Sequence, residues 1–226
     1  MKKLSTILPV IFVATMFSSV VAEEKAVTDQ PKSELQFLFR DASLEDFDFF
    51  LVDGGKKEDV FKIEDNILKI TGSPFGWLAT KKSYKNFFLF VEIRHPNPEE
   101  IANSGLFLRL TENVGTFLPK CIEIQMHKKT LGDIFGFHGV KLCGSPDRFA
   151  FVEEKNLHKV VRDLDTNVDP NEWTRVAVLC HEDIIVVYVN DQVVNWAWNV
   201  DSSPGQIAFQ SEGGEIWFRN ARILEK

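Results

Sequence analysis

Residues 120–129 read KCIEIQMHKK. With a period of two, Cys121, Glu123, Gln125 and His127 leave one side of an extended chain, and Ile122, Ile124 and Met126 leave the other. One side is an ordinary core face. The other ranks a carboxylate, an amide and an imidazole, groups able to move a proton, hold a hydroxyl or bind a metal. Further polar residues accompany this row. In TKKSY, Thr80, Lys82 and Tyr84 share a face, and Trp77 stands beside Gly76 a short way upstream. Asn103 opens NSG, and Arg109 ends LFLR, in alternation with Phe107. Asp133 lies in LGDIFG and His138 in FGFHGV.

Each of these residues also has a structural use. Arg109 can hold a substrate carbonyl or carboxylate, or pair with Glu92 or Glu123. Asp133 can form a turn or bind a metal or hydroxyl. His127 can end its strand in water. Glu123, His127, Asp133 and His138 are the donors available to a divalent ion, but their spacing matches no standard metal motif. A metal is therefore allowed and not required. No nucleophile elbow, phosphate loop or dinucleotide fingerprint is present. Five tryptophans occur. Trp77 is the one expected to line a cleft, whereas Trp196 and Trp198 share a face that reads as core.

The elements that would position these groups are strands. VFKIEDNILKI reads as a hairpin with Asp65-Asn66 at its tip. FFLFVEIR and SGLFLRL are strands, and TRVAVLCHEDIIVVYVNDQVVNWAW gives three, turning at 181–183 and at Asn190-Asp191. GQIAFQ and EIWFRNARIL close the chain around Gly213-Gly214. Only residues 97–103 suggest a turn of helix. Many closely spaced strands without crossover helices predict an all-β antiparallel sandwich or jelly roll.

The composition agrees with one such domain. The 226 residues are 44% hydrophobic with 20 Phe, enough for one sizeable core. A net charge of −7 argues against nucleic-acid or anionic-lipid partners. Lys2 and Lys3 followed by LSTILPVIFVATMFSSVV and a small residue at Ala22 read as a signal peptide over residues 1–22. Residues 23–33 read as a linker and 34–226 as a single domain. The expected location is secreted or periplasmic, with no membrane association after cleavage. Cys121, Cys143 and Cys180 permit one disulfide or three free thiols. Cys121–Cys143 is the first pair to test, and closing that loop is worth about 3 kcal/mol in the chain-entropy model.

Five stretches in order, FGWLATKKSYKNFFLFVEIRHP, NSGLFLRL, PKCIEIQMHKKTLGDIFGF, NEWTRVAVLCHEDIIVVYVNDQVV and GQIAFQSEGGEIWFRNARI, resemble the 3-keto-disaccharide hydrolase family over residues 35–226. The resemblance implies a concanavalin A-like jelly roll of two curved sheets, with a cleft on the concave one. It also implies chemistry on sugars oxidised at C3. The ketone acidifies the C2 hydrogen, a base removes it, and the C1 substituent leaves. Water then adds where the outcome is hydrolysis. On this reading Glu123, His138 and Lys82 are the catalytic candidates, with Glu123 the base. Gln125, Arg109, Asn103, Trp77 and His127 bind substrate. The partner is a 3-keto-glycoside. The other reading, from a different class, is a non-catalytic carbohydrate-binding or cell-surface module on the same fold.

Overall fold

The computed structural model describes residues 35–97, 99, 102–166, 168–169 and 172–225. The expected signal peptide and linker, and residues 98, 100 and 101 of the helical turn expected at 97–103, lie outside the described residues.

Sixteen strands are described. They are β1 (Leu35–Phe37), β2 (Phe47–Leu51), β3 (Phe61–Glu64), β4 (Ile67–Ile70), β5 (Gly76–Thr80), β6 (Phe87–Arg94), β7 (Gly105–Glu112), β8 (Lys120–Gln125), β9 (Ile134–Gly136), β10 (Phe149–Val152), β11 (Leu157–Val160), β12 (Thr174–His181), β13 (Ile184–Val189), β14 (Gln192–Ala197), β15 (Gln206–Ser211) and β16 (Ile216–Glu225). One helical turn, α1 (Lys57–Val60), precedes β3. The strands form two antiparallel sheets. The first runs β14-β13-β12-β6-β16-β4-β3, with β1 also on β16. The second runs β10-β11-β9-β8-β7-β15-β5-β2.

The turns follow from their residues. Asp65 and Asn66 both take positive φ, 53° and 61°, as do Asn190 and Asp191, at 47° and 69°. Asn and Asp tolerate this left-handed region, and two such residues in succession match the right-handed twist of a hairpin.

Between the sheets, Leu89, Val91 and Ile93 of β6 and Val176 and Val178 of β12 meet Leu106, Leu108, Ile122, Ile124 and Phe209 of the second sheet, all 1% exposed or less. The rings of Phe209 and Phe218 touch across the layer at 5.1 Å, edge to face. Each such side chain, fully buried, contributes about 1.5–3 kcal/mol. Trp196 and Trp198 are not part of this layer. Trp196 lies under the Arg148 guanidinium at 4.2 Å, and Trp198 is exposed. All three cysteines are free, so the Cys121–Cys143 disulfide is not formed. Cys121 sits on the outer side of β8, while Cys143 is bridged through its backbone to Trp198.

A second apolar cluster lies on the outer side of the second sheet. Trp77, Ala79, Phe107, Leu110, Cys121 and Ala208 are all buried there, with Phe50, Leu118 and Phe137 packed over them. An outer sheet face normally meets water. This one is covered.

Candidate functional site

The row that opened the sequence lies on this covered face. At one level across the sheet stand Phe135, Glu123, Phe107, Ala208 and Ala79. At the next stand Gln125, Gly105 and, by continuing the β15–β7 register, Gln210, followed by Trp77 and Phe50. One level further, Asn103 Nδ2 donates to Glu212 Oε2 at 2.7 Å.

Gly105 has a specific use here. A Cβ at this position would collide with Oε1 of Glu123, so the carboxylate lies across the glycine toward β15. Only glycine leaves that space. Glu123 is 2% exposed, and its Oε1 has no hydrogen-bond partner. Trp77 Nε1, Asn103 Oδ1 and both amide atoms of Gln210 are likewise buried and unpartnered. Among the described residues, ten buried side-chain atoms lack a partner, and these four residues hold five of them. Leaving a buried polar atom unpaired costs about 1–3 kcal/mol, so such a cluster calls for an explanation.

The electrostatics set the charge state. Burial, reinforced by the nearby Glu212 carboxylate, pushes the Glu123 pKa well above the ordinary carboxylate range. Burial also raises that of Glu212, while Gln210 beside it favours the ionised form. Gln210 does this from close by, without a hydrogen bond of ordinary length and angle. Burial and Glu123 together push the Cys121 thiol well up, which keeps it protonated and unreactive.

Several expected site residues are placed elsewhere. Lys82 ion-pairs with Glu225 of β16 at 2.5 Å, and its Nζ stands 5.1 Å from the Tyr84 ring. Arg109 takes φ +50° where the β7 register shifts, which turns it out of the alternation with Phe107. Its guanidinium donates to the carbonyls of Lys85, Glu182 and Asp201, tying three loops together. β8 ends at Gln125, whose Oε1 accepts from the His127 backbone N–H, so His127 does not continue the row. The His127 ring accepts from Lys129 N in its own turn. Asp133 is held by Arg162 and Lys159 at 3.3 and 3.6 Å. His138 Nε2 meets the Leu118 carbonyl at 2.9 Å.

The four donors named for a metal therefore do not converge. Among the described residues, no three His, Cys, Asp or Glu side chains are grouped to hold an ion. Likewise no helix there is long and apolar enough to cross a membrane. Glu123, Gln125, Asn103 and Trp77 do share the covered face. Gln210 and Glu212 join them. The alternation of AFQSE, with Phe209 inward, was the signal that could have found both.

The whole described unit corresponds to one known domain. A family model for the 3-keto-alpha-glucoside-1,2-lyase-like domain matches residues 34–224. The chain belongs to this family. No curated protein matches it. Solved structures similar to it include a proposed glycosyl hydrolase from Parabacteroides distasonis ATCC 8503, at 17% identity, with 85% of this chain and 94% of that one covered and a TM-score of 0.60. The kappa-carrageenase of Pseudoalteromonas carrageenovora, solved with an oligotetrasaccharide of kappa-carrageenan, is similar at 8% identity over 88% and 98%, with a TM-score of 0.58. A carbohydrate-binding module from Bacillus subtilis is similar at 14% identity over 79% and 95%, with a TM-score of 0.55. At these identities the likeness is one of fold.

Proposed function

We propose that the covered face binds a glycoside oxidised at C3 and cleaves its C1 substituent by elimination. Five unpartnered buried polar atoms around Glu123 carry this reading. They mix donors and acceptors, which suits a ring bearing hydroxyl and carbonyl groups. Family membership supports this reaction class, and sugar-handling proteins share the fold.

Burial changes the role assigned to Glu123. A carboxyl held protonated is a poor base and a good acid. Glu212 is less buried and takes a hydrogen bond from Asn103, so it is the group assigned to be ionised. In the proposed step, Glu212 removes the C2 proton. Trp77 Nε1–H and the Gln210 amide donate to the C3 oxygen as negative charge builds there. The C1–O bond then breaks, and Glu123 protonates the departing oxygen. The products are the free alcohol and a ring with a C1–C2 double bond conjugated to the C3 carbonyl. Addition of water across that bond makes the net outcome hydrolysis.

Incubating the protein with a 3-keto-glucoside tests this directly. Release of the alcohol with new ultraviolet absorbance from the conjugated ketone is the expected result. No turnover by correctly folded protein over a range of 3-keto-glycosides overturns it.

The near-complete burial of Glu123 favours one other reading, non-catalytic carbohydrate binding, which a module of the same fold performs. Under that reading Glu123→Gln changes affinity and there is no turnover for it to abolish.

A further inference from the structure

A ligand can reach the covered face only if something over it moves. Three side chains pack on the outer cluster: Phe50, Phe137 and Leu118. Phe50 belongs to β2, which is paired along β5. Phe137 is tied to the sheet by its N–H to the Cys121 carbonyl at 3.0 Å. Leu118 is held differently. It lies in residues 113–119, between β7 and β8, which fold back over the sheet. Phe117 meets the ring of Phe75 at 5.1 Å, although Phe75 adjoins β5, two strands from β7.

The hydrogen bonds of this segment are mostly its own. Gly115 N donates to Asn113 Oδ1, Leu118 N donates to Thr116 Oγ1, and Thr116 Oγ1 donates to the Leu118 carbonyl. Among the described residues, one bond joins it to the rest of the fold, from His138 Nε2 to the Leu118 carbonyl. His138 itself sits at φ +54° in the loop after β9. A segment with internal turns, one outside hydrogen bond and one aromatic contact has little to hold it closed compared with the paired strands around it.

We propose that residues 113–119 form a lid over the Glu123 site, with His138 as its latch and the Phe117–Phe75 contact as its clasp. This rests on the reading of that face as the ligand site. It gives His138 a positioning role instead of contact with substrate. Opening swings Leu118 off the cluster and uncovers Trp77 and Cys121 while both sheets stay intact.

Cys121 is a native reporter for this motion, because it lies in the covered cluster and is 0% exposed. Cys180, equally buried but between the sheets, is the internal control. The experiment measures methanethiosulfonate labelling of each cysteine by peptide mass spectrometry, with no sugar present. Phe117→Ala is expected to raise the Cys121 rate about tenfold, because it removes an aromatic contact and its buried area. His138→Ala is expected to raise it about fivefold, the effect of one net hydrogen bond. His138→Gln, which keeps an amide donor, should return it toward the parent rate. Cys180 labelling should not change. An unchanged Cys121 rate in both alanine variants overturns the lid. So does a parallel rise at Cys180, which would mean that the whole sandwich loosens. A protein that turns over no 3-keto-glycoside leaves this labelling result intact, so failure of the proposed reaction and failure of the lid are told apart.

Discussion

The two outer faces of this sandwich both carry polar side chains and treat them in opposite ways. On the first sheet, Arg219 pairs with Glu92 and Arg175 with Asp191, each at 2.5 Å. Arg219 and Arg222 also stack over the rings of Trp173 and Phe90, at 4.0 and 4.3 Å. These charges remain in contact with water, where an ion pair is worth about 0–1 kcal/mol. On the second sheet Glu123, Gln210 and Trp77 are buried and hold side-chain atoms with no partner, and one of those atoms is a carboxyl oxygen. The lesson is that the number of polar residues on a face says little about function. What separates the faces is whether the protein itself satisfies them.

The largest expected effect on this contrast comes from Glu123→Gln. It should lower turnover of a 3-keto-glycoside on the order of a thousandfold while the fold survives, as steady-state kinetics and circular dichroism would show. The same variant has a signed effect on stability. A carboxyl whose pKa is raised by folding favours the native state while protonated. That contribution is fully present below the unfolded value near 4.5 and is lost as pH rises through the folded value. Glu123→Gln should therefore melt with the parent at pH 4 and above it at alkaline pH. Melting curves that stay parallel across this range would remove the buried acid.

Gly105→Ala comes next. Its methyl group must displace the Glu123 carboxyl or shift the strand, so activity should fall about a hundredfold and stability by about 1–3 kcal/mol. Trp77→Phe is gentler. It keeps an aromatic ring and removes an N–H that has no partner, so KM should rise about tenfold with a stability change under about 1.5 kcal/mol. The smallest effect belongs to the opposite face. Arg219→Met breaks a wet ion pair and should cost no more than about 1 kcal/mol in denaturant melts, with kcat/KM unchanged. A loss of activity there would erase the distinction between the two faces.

Much of the sandwich was legible in advance because strand signals are local. The alternation in FFLFVEIR and the Asp65-Asn66 tip depend only on neighbours along the chain. The row on β8 was legible as far as Gln125 and failed at His127. There a side chain-to-backbone hydrogen bond ended the strand, and a period of two cannot register that. Arg109 failed for a related reason, since a single residue with positive φ at a register shift reverses the face it serves.

By itself the sequence determined that the described chain would be strands, that Glu123 and Gln125 would share a face, and that the chain resembles the 3-keto-disaccharide hydrolase family. These are matters of residue type, spacing and order. Tertiary structure alone decided which polar groups were left without partners. Burial and pairing depend on what other strands and loops bring alongside. It seated Gln210 and Glu212 beside Glu123, withdrew Lys82, Arg109 and Asp133 into contacts of their own, and laid residues 113–119 over the face that remained.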